Sequence, residues 1–327
     1  MQVLISIQQP VRAWQIPEEA VTGLRERFPD VTFVHATDDE ARARGLTTCD
    51  VAYTWILSDA EAATASRLKW LHTSAVAVET IALPPLFARG VVVSNSRGVQ
   101  AAPIAEHVFA LMLALAKQLP FVLAAQRERR WSQNEVVGDR LPWLLRGRTL
   151  GLIGVGTIGS QVALMADAFG MHVLALRRRA AADQVPGVHE LLGPGDLDTL
   201  LARSDVVIIA APLTPETMNL IGAPQLARMK RGALLVNVGR ARILDHEALV
   251  AALRSGHLGG AALDVFPREP LPADDPLWTA PNLIVTPHTS GFRRGHWDEV
   301  IELFADNLAR FRRGEPVRFR VDPALGY

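Results

Sequence analysis

The sequence predicts an α/β protein built from two doubly wound parallel-sheet domains, with the second domain inserted into the first. The main evidence is that short apolar runs alternate with helix-compatible stretches in two separate series, a rhythm typical of βαβ units. A length of 327 residues also leaves room for two domains with their own hydrophobic cores. We expect residues 1–101 and 291–327 to form the first domain and residues 102–290 to form the second.

The first series occupies residues 1 to about 100. Its strand-like runs are VLISI, VTFVHA, VAYTWIL, LKWLHTSA and VVVSN, and helix-compatible stretches such as 17–27 and 60–68 lie between them. Residues 103–119 follow, and they are apolar almost all round with Pro103 near the start. This composition predicts a long buried helix with proline in its first turn, lying between the domains.

The second series begins after an irregular, arginine-rich segment at 120–148. Its apolar runs are TLGLIGVG, HVLALRR, DVVIIAAPL, ALLVNVG, GGAALDVF and LIVTPH. Six such strands with helices between them make a complete doubly wound sheet. From Arg293 the pattern becomes helical again and ends in an extended tail, so we expect the chain to return to the first domain.

Composition excludes several classes of protein. Basic and acidic residues balance at 34 each, so a nucleic-acid partner is not expected. Cys49 is the only cysteine, which rules out an internal disulfide or a cysteine-based metal site and favours the reducing cytoplasm. The N-terminal run MQVLISIQQP reads as a strand, and the apolar stretch at 104–115 is too short to span a bilayer, so no membrane association is expected.

The histidines give no sign of a metal site. His72, His107 and His296 have no second histidine or carboxylate at ligand spacing on a matching element, so we interpret them as packing or surface residues and expect no metal. Four further residues stay open between packing or a solvated surface and contact with a ligand: Trp55, Arg293, Arg294 and Trp297.

A glycine-rich turn opens the second series. Gly154, Gly156 and Gly159 form a Gly-x-Gly-x-x-Gly array directly after an apolar strand and directly before an apolar-periodic helix. The first glycine permits a tight turn, the second lets the backbone approach a pyrophosphate, and the third lets helix and strand pack closely. The amides of Thr157 and Ile158 then present a helix N-terminus to the anion. The array predicts a dinucleotide-binding site.

The end of the next strand predicts which dinucleotide binds. An NAD site places Asp or Glu there, to accept hydrogen bonds from the ribose 2′-hydroxyl. Here MHVLAL is followed by Arg177, Arg178 and Arg179, while Asp183 comes later in a loop. Guanidinium groups pair well with a phosphate, so we predict NADP rather than NAD. The alternative is a solvated arginine cluster.

Three polar side chains follow three strands of the second series. Arg240 comes after ALLVNVG, Glu269 after GGAALDVF, and His288 at the end of LIVTPH. The carboxyl edge of an open α/β sheet is where ligands bind, so we expect the three to converge. They suit carbonyl reduction: His288 supplies a proton, Glu269 holds the imidazolium and raises its pKa, and Arg240 clamps a substrate carboxylate and polarises the carbonyl.

These motifs resemble those of the D-isomer-specific 2-hydroxyacid dehydrogenases, and the resemblance covers essentially the whole chain. It rests on GLIGVGTIGS, NVGRARILDHEAL, DVFPREP and TPHTSG. It implies a Rossmann dinucleotide-binding domain inserted into a flavodoxin-like substrate domain, and a catalytic set of Arg240, Glu269 and His288. It also implies that Asp264 faces the nicotinamide carboxamide and that Pro212 and Thr217 line the adenosine side. We expect Val238 to be a further cofactor-binding residue.

The resemblance extends to the first domain. In TSAVAVET, the amides around Val76 and Ala77 are implied to bind the substrate carboxylate, although the family usually has Gly in place of Ala77 and Asp in place of Glu79. The segment NSRGVQAAPIAEHVFALML is a second match. Trp131 and Trp143 lie in a segment that forms a dimerisation arm in the family, so a homodimer is implied.

We therefore predict an enzyme that transfers a hydride between NADP(H) and a small 2-oxo acid, with glyoxylate and hydroxypyruvate as the substrates that the resemblance implies. Phosphite or formate oxidation on the same scaffold is one alternative, although formate enzymes of this superfamily carry Gln beside the histidine where this chain has Glu269. Another alternative is a non-catalytic protein that senses dinucleotides. The sequence leaves both open.

Overall fold

The computed structural model describes residues 1–178, 184–324 and 326, and for Asp139 it describes the backbone alone. The chain divides into two compact units. Unit 1 comprises Met1–Gln100 with Phe292–Tyr327, and unit 2 comprises Ala101–Gly291. Each unit is built on its own parallel sheet with helices on the faces, which confirms the predicted α/β class with two parallel-sheet domains.

Unit 1 is built on a five-stranded sheet with the order β2-β1-β3-β4-β5. The strands are β1 (Gln2–Ser6), β2 (Thr32–His35), β3 (Val51–Thr54), β4 (Trp70–Thr73) and β5 (Val92–Asn95). All neighbouring pairs are parallel. This strand order is that of flavodoxin-like folds, in which ligands bind outside the carboxyl ends of the strands.

The first four helices connect these strands. They are α1 (Glu18–Arg27), α2 (Asp39–Thr48), α3 (Asp59–Thr64) and α4 (Leu83–Ala88). Side chains fix where two of them begin: Asp38 accepts from the amide of Ala41 at the start of α2, and Ser58 and Glu61 form a capping box at the start of α3.

Unit 2 opens with two helices where one was expected. α5 (Ala101–Ala116) ends before Gln118, which has a left-handed φ of 57°, and α6 (Leu119–Arg127) begins directly after it with Pro120 in its first turn. The predicted single helix over 103–119 therefore ends early. None of the described helices alone is long and apolar enough to cross a membrane, and α5 and α6 pass such a test only as a pair bent by 70°.

The sheet of unit 2 has seven strands in the described part of the chain, in the order β12-β11-β10-β9-β6-β7-β8. In chain order they are β6 (Thr149–Ile153), β7 (His172–Leu176), β8 (Glu190–Leu192), β9 (Val206–Ile209), β10 (Leu234–Asn237), β11 (Gly260–Leu263) and β12 (Leu283–Val285). Six were predicted. The additional strand, β8, is three residues long and begins with Glu190 directly after His189, so it lacks an apolar run.

Helices cover both faces of this second sheet. They are α7 (Thr157–Ala168), α8 (Leu197–Arg203), α9 (Ala223–Arg228) and α10 (His246–Arg254). α5 joins α7 on one face, where Val108 and Met112 are fully buried in the same core as Leu150 and Val162. β6, the strand that precedes the glycine array, lies between β7 and β9, so its carboxyl end is at the topological switch point of the sheet.

The chain then returns to unit 1 through α11 (His296–Arg312). Phe304 of this helix stacks on Tyr53 with ring centroids 4.1 Å apart and an interplanar angle of 5°, which anchors the helix on the sheet core. The tail runs beside β5, where the Asn95 amide donates to Phe319 and the Val321 amide donates to Val93.

Candidate active site

The glycine array forms a tight turn between β6 and α7. Gly154 has a φ of +99°, and a Cβ atom there would lie 2.7 Å from the Cα atom of Ala211. A Cβ atom at Gly159 would lie 2.2 Å from the carbonyl oxygen of Gly154, so this contact requires glycine. Gly156 differs, because a Cβ atom there would meet nothing within 4 Å. The turn thus leaves open space over Gly156, where a ligand can approach the backbone.

This open space lies at a helix N-terminus. Thr157 and Ile158 are the first two residues of the 12-residue helix α7, so their amides have no partner within the helix. Such amides, together with the positive end of the helix dipole, bind phosphate groups. The backbone around Gly156 therefore fits the pyrophosphate of a dinucleotide.

The segment after β7 carries the arginines that were predicted to choose the cofactor. Arg177 is partly buried, and its amide donates to the Leu192 carbonyl of β8 at 3.0 Å. Arg178 is more exposed, and its guanidinium lies 3.8 Å from a carboxylate oxygen of Glu216. Arg179 and Asp183 lie outside the described residues. No acidic residue occupies the two positions that directly follow this strand.

Glu216 belongs to the loop in which Pro212 and Thr217 were predicted to face the adenosine side. The Thr217 hydroxyl donates to the Pro212 carbonyl at 2.8 Å and accepts from the Thr214 amide at 2.7 Å, which closes the loop on itself. A hydrogen bond from the Thr214 hydroxyl lowers the pKa of the Glu216 carboxyl, and Arg178 adds to this shift. The loop therefore lies beside the end of β7, at the same edge of the sheet.

Arg240 follows β10 in a turn that a buried asparagine holds. The Asn237 side chain donates to the Arg240 carbonyl at 3.1 Å and accepts from the Gly239 amide at 3.0 Å, while the Arg240 guanidinium donates to the Gly239 carbonyl at 2.8 Å. Val238 is buried at the same turn, and its amide donates to Ile209. The turn thus sets the direction in which the guanidinium leaves the strand.

Glu269 and His288 form a directly hydrogen-bonded pair. A Glu269 carboxylate oxygen lies 2.7 Å from His288 Nδ1, and its other oxygen accepts from the Phe266 amide at 2.9 Å. The hydrogen bond to Glu269 raises the pKa of His288, against the opposing effect of burial. Burial raises the pKa of Glu269, but the His288 and Phe266 hydrogen bonds outweigh it and leave that pKa below its usual value. Each group therefore favours the charged form of the other.

Arg240 is electrostatically close to this pair. Its charge lowers the pKa of both Glu269 and His288, although it is the smallest contribution in each case. The structure therefore brings together the three side chains that the sequence singled out for chemistry. They can hold a carboxylate, polarise a carbonyl and deliver a proton from one side.

Asp264 is fully buried at the carboxyl end of β11. One carboxylate oxygen accepts from the Thr286 hydroxyl at 2.7 Å and from the Thr289 amide at 3.0 Å, and the other accepts from the Ser290 amide at 3.0 Å. His107 of α5 lies 3.0 Å from the same Thr286 hydroxyl. These contacts surround the loop that carries His288. The contact of Asp264 with the nicotinamide carboxamide, which the resemblance implies, stays a prediction.

Sequence reasoning missed this network. His107 was interpreted as a packing or surface residue, and Thr286 was not singled out. The available signals were a histidine that interrupts an otherwise apolar helix and a threonine two residues before His288. Neither signal indicates a contact by itself, because the two residues are 179 positions apart.

The predicted carboxylate loop of unit 1 follows β4. Val76 and Ala77 are partly exposed there, and the Asn95 side chain donates to the Val76 carbonyl at 2.8 Å. The Ser96 amide donates to Ala75 on the same loop, at 3.1 Å. The end of β5 therefore holds this loop in place.

The residues whose roles stayed open all make contacts within unit 1. Trp55 packs against Trp14 with ring centroids 5.7 Å apart, and the Trp297 indole donates to the Ala13 carbonyl at 3.1 Å. Arg293 pairs with Glu299 at 2.7 Å, and Arg294 is exposed. These contacts support packing for Trp55 and Trp297 and an ion pair for Arg293.

Two of the remaining histidines are buried in unit 1. His72 lies 2.7 Å from the Ser94 hydroxyl, and burial lowers its pKa to about 3. His296 packs against Trp14, and burial with the nearby Arg293 lowers its pKa to about 4. Both are neutral packing residues, as expected. Among the described residues, no group of three or more His, Cys, Asp or Glu side chains is placed to hold a metal ion.

Known proteins resemble this chain in sequence and in fold. The family model for the NAD binding domain of D-isomer specific 2-hydroxyacid dehydrogenases matches residues 109–290. The chain is 35% identical over 312 residues to the glyoxylate reductase of Korarchaeum cryptofilum strain OPF8, covering 92% of each chain. It is 37% identical to the glyoxylate/hydroxypyruvate reductase B of Pectobacterium carotovorum, covering 80% of this chain and 81% of that one.

A solved structure extends the likeness over both units. The D-isomer specific 2-hydroxyacid dehydrogenase of Xanthobacter autotrophicus Py2, in complex with NADPH and MES, is 30% identical with a TM-score of 0.82, covering 99% of each chain. The chain spans about half the length of the curated relatives named D-3-phosphoglycerate dehydrogenase. Fold and motifs thus define an NAD(P)-dependent oxidoreductase. The chain belongs to the D-isomer specific 2-hydroxyacid dehydrogenase family.

Proposed function

We propose that this protein reduces a small 2-oxo acid, glyoxylate or hydroxypyruvate, to the D-2-hydroxy acid with NADPH, and that Arg240, Glu269 and His288 are its catalytic residues. The observation that carries the proposal is the 2.7 Å contact between Glu269 and His288 Nδ1, with Arg240 close enough to influence both groups. The glyoxylate and hydroxypyruvate reductases among its relatives support the choice of substrate.

The paired geometry assigns separate tasks to the three side chains. Because Glu269 occupies Nδ1 of His288, the Nε2–H of the imidazolium is left to donate a proton to the substrate carbonyl oxygen. Glu269 keeps the ring protonated and oriented. Arg240 binds the substrate carboxylate with its planar fork and stabilises the negative charge that develops on the oxygen. When bound, the dinucleotide supplies the hydride.

For the cofactor, we propose that Gly154, Gly156, Thr157, Ile158 and Gly159 hold the pyrophosphate. Open space at Gly156 beside the free amides of α7 supports this assignment. The Asp264 carboxylate accepts hydrogen bonds from the loop that carries His288, and we propose that it also faces the nicotinamide carboxamide, as the resemblance implies. Adenosine contacts at Pro212, Thr217 and Val238, and carboxylate binding by Val76 and Ala77, stay predictions.

The proposed preference for NADP rests on Arg177 and Arg178. They stand where an NAD site needs an acid to accept from the 2′-hydroxyl, and two guanidinium groups there favour a 2′-phosphate. Glu216 is a competing partner for Arg178 at 3.8 Å, and the phosphate would have to displace it. Since Glu216 is exposed, this pair is weak and easily exchanged.

The test is an initial-rate assay of several 2-oxo acids with NADPH and with NADH. Oxidation of formate and of phosphite is measured in parallel with NADP⁺ and with NAD⁺. We expect reduction of glyoxylate or hydroxypyruvate and a higher kcat/KM for NADPH than for NADH. Oxidation of formate or phosphite without 2-oxo acid reduction would overturn the substrate assignment. NADPH binding without any turnover would favour the dinucleotide-sensing alternative, and a preference for NADH would overturn the role of Arg177 and Arg178.

We also propose that the chain is a homodimer. Several large apolar side chains between 119 and 144 are exposed, and a surface of this kind is typical of an interface. They are Leu119, Leu123, Trp131, Val137, Leu141 and Leu144. Light scattering after size-exclusion chromatography tests this proposal, which a monomer at micromolar concentration would overturn. A cytoplasmic location, expected from the single cysteine, stays a prediction.

A further inference from the structure

We propose that His107 of α5 is a positioning residue for His288, acting through Thr286 and Asp264. The inference rests on the proposed function, because it assigns His107 to the same proton-donating histidine. It differs from the interpretation of His107 as a packing or surface residue. His107 makes no contact with Glu269 or His288 in the described contacts, so any effect it has on catalysis must pass through the loop.

The hydrogen-bond directions in this chain are fixed by elementary chemistry. A carboxylate only accepts, so the Thr286 hydroxyl, 2.7 Å from Asp264, must donate its single proton there. That hydroxyl can then only accept from His107 Nε2, which lies 3.0 Å away. His107 must therefore carry a proton on Nε2. Its second contact, 3.8 Å from the Asp264 carboxylate, is an attraction if the ring is charged.

The Asp264 carboxylate accepts hydrogen bonds from the loop on both sides of His288. Thr286 precedes His288 by two residues, and the Thr289 and Ser290 amides that follow it donate to the same carboxylate. His288 itself has a φ of 54°, in the left-handed region that is costly for a side chain with a Cβ atom. Such a conformation persists only where the surroundings over-determine it. The hydrogen bonds to Asp264 supply that constraint and orient the ring toward Glu269.

The contact of His107 with Thr286 connects these hydrogen bonds to α5, which packs against the sheet of unit 2. The neighbouring Val108 and the following Met112 are fully buried in the core that α5 shares with the sheet. The Thr286 hydroxyl has a second acceptor, the Leu263 carbonyl at 3.5 Å, to which it can turn. With the His107 N–H in place, the oxygen of Thr286 is held facing α5 and its proton faces Asp264. Without that donor, the hydroxyl is free to turn away and the loop loosens.

The experiment compares three variants in the full chain. His107→Leu removes the donor, and His107→Gln returns an N–H at nearly the same distance from the backbone. His257→Leu is the matched control, because His257 is also a partly buried histidine of unit 2 and its ring lies 3.0 Å from the Leu226 carbonyl. Each variant is measured for Tm and for NADPH Kd, and its kcat and KM are determined across pH with glyoxylate and hydroxypyruvate as substrates.

We expect His107→Leu to lower kcat about tenfold or more, because small displacements of an acid have large effects on rate. Its Tm should fall no further than that of His257→Leu, and its NADPH Kd should stay unchanged. Glu269 and Asp264 raise the pKa of His288, whereas Arg240 lowers it. Because a loose loop weakens the contact with Glu269, the fall in activity at high pH should begin at a lower pH in His107→Leu. His107→Gln should restore most of kcat.

A kcat for His107→Leu equal to that of His257→Leu would overturn the proposal, and so would an equal loss in His107→Gln. If the wild type reduces no 2-oxo acid, the proposed function fails while the positioning role is still tested. In that case the His288 imidazole signal is titrated by NMR in wild type and His107→Leu, with His288→Asn for assignment. An unchanged titration would then overturn the positioning role.

Discussion

Replacing Glu269 by glutamine tests the proton-donating pair with the smallest change of shape. Glu269 uses both oxygens, one for His288 at 2.7 Å and one for the Phe266 amide at 2.9 Å. Glutamine has only one acceptor oxygen, so one of the two contacts meets an amide NH₂ group, and the negative charge beside His288 is lost. Both effects disfavour the imidazolium form that donates the proton.

The size of the effect follows from the distance and the exposure of the pair. The His288 side chain is 52% exposed and that of Glu269 37%, so water screens the interaction. Two unit charges 2.7 Å apart in bulk water attract by about 1.5 kcal/mol. An attraction of this size favours the protonated form of His288 and so raises its pKa. The wild-type activity should fall as pH rises through this raised pKa, and in Glu269→Gln the fall should begin at a lower pH.

The assay is kcat/KM for glyoxylate or hydroxypyruvate reduction with saturating NADPH, measured from about pH 5 to pH 10, where the high-pH limb reports the free enzyme's acid. Glu190→Gln is the control, since Glu190 is an exposed carboxylate of unit 2 paired with Arg203 at 2.7 Å. Its pH profile should match the wild type. A high-pH limb that is unchanged in Glu269→Gln would show that Glu269 does not raise the pKa of His288.

Four further predictions concern the same unit. Gly156→Ala should keep the wild-type Tm but weaken NADPH binding about tenfold or more, because its Cβ atom meets nothing in the protein but occupies the pyrophosphate's space. Gly159→Ala should lower the free energy of unfolding by roughly 1–3 kcal/mol, because its Cβ atom would lie 2.2 Å from a backbone oxygen. Equal Tm values for Gly156→Ala and Gly159→Ala would contradict these two predictions. Arg240→Lys should lower kcat/KM about 100-fold, since an ammonium cannot replace the planar fork, whereas Arg242→Lys in the next turn should not. In denaturation measured across pH, the Glu269–His288 pair should contribute to the free energy of unfolding between the two pKa values. That contribution should be lost as pH falls through the lowered pKa of Glu269 and as pH rises through the raised pKa of His288. Both losses should be absent in Glu269→Gln.

Much of the fold was predictable from periodicity alone. Buried parallel strands read as apolar runs, and this is why β6, β9 and β10 were all expected from the sequence. β8 was not predicted, because it is three residues long and its first residue, Glu190, directly follows His189, so the sequence shows no apolar run there. The break between α5 and α6 was also missed, because it depends on the left-handed conformation of Gln118, a residue that carries no conformational signal comparable to glycine.

The candidate site was predictable to the extent that it follows strand ends. Arg240, Glu269 and His288 each come after a strand of the second series, and parallel strands bring their carboxyl ends to one edge. The contacts around Asp264 could not be predicted in this way. They join α5 to a loop at the opposite end of the unit's sequence, and they depend on how the helix packs on the sheet, which no local pattern encodes.

The central claim is that His288 donates a proton during NADPH-dependent reduction of a 2-oxo acid. The most direct measurement is kcat for glyoxylate and hydroxypyruvate in the wild type and in His288→Ala, together with the NADPH Kd of both. We expect kcat in His288→Ala to fall by about 10²- to 10⁴-fold while the NADPH Kd stays nearly unchanged. A loss of only a few-fold in kcat, with the Kd unchanged, would contradict a proton-donating role for His288.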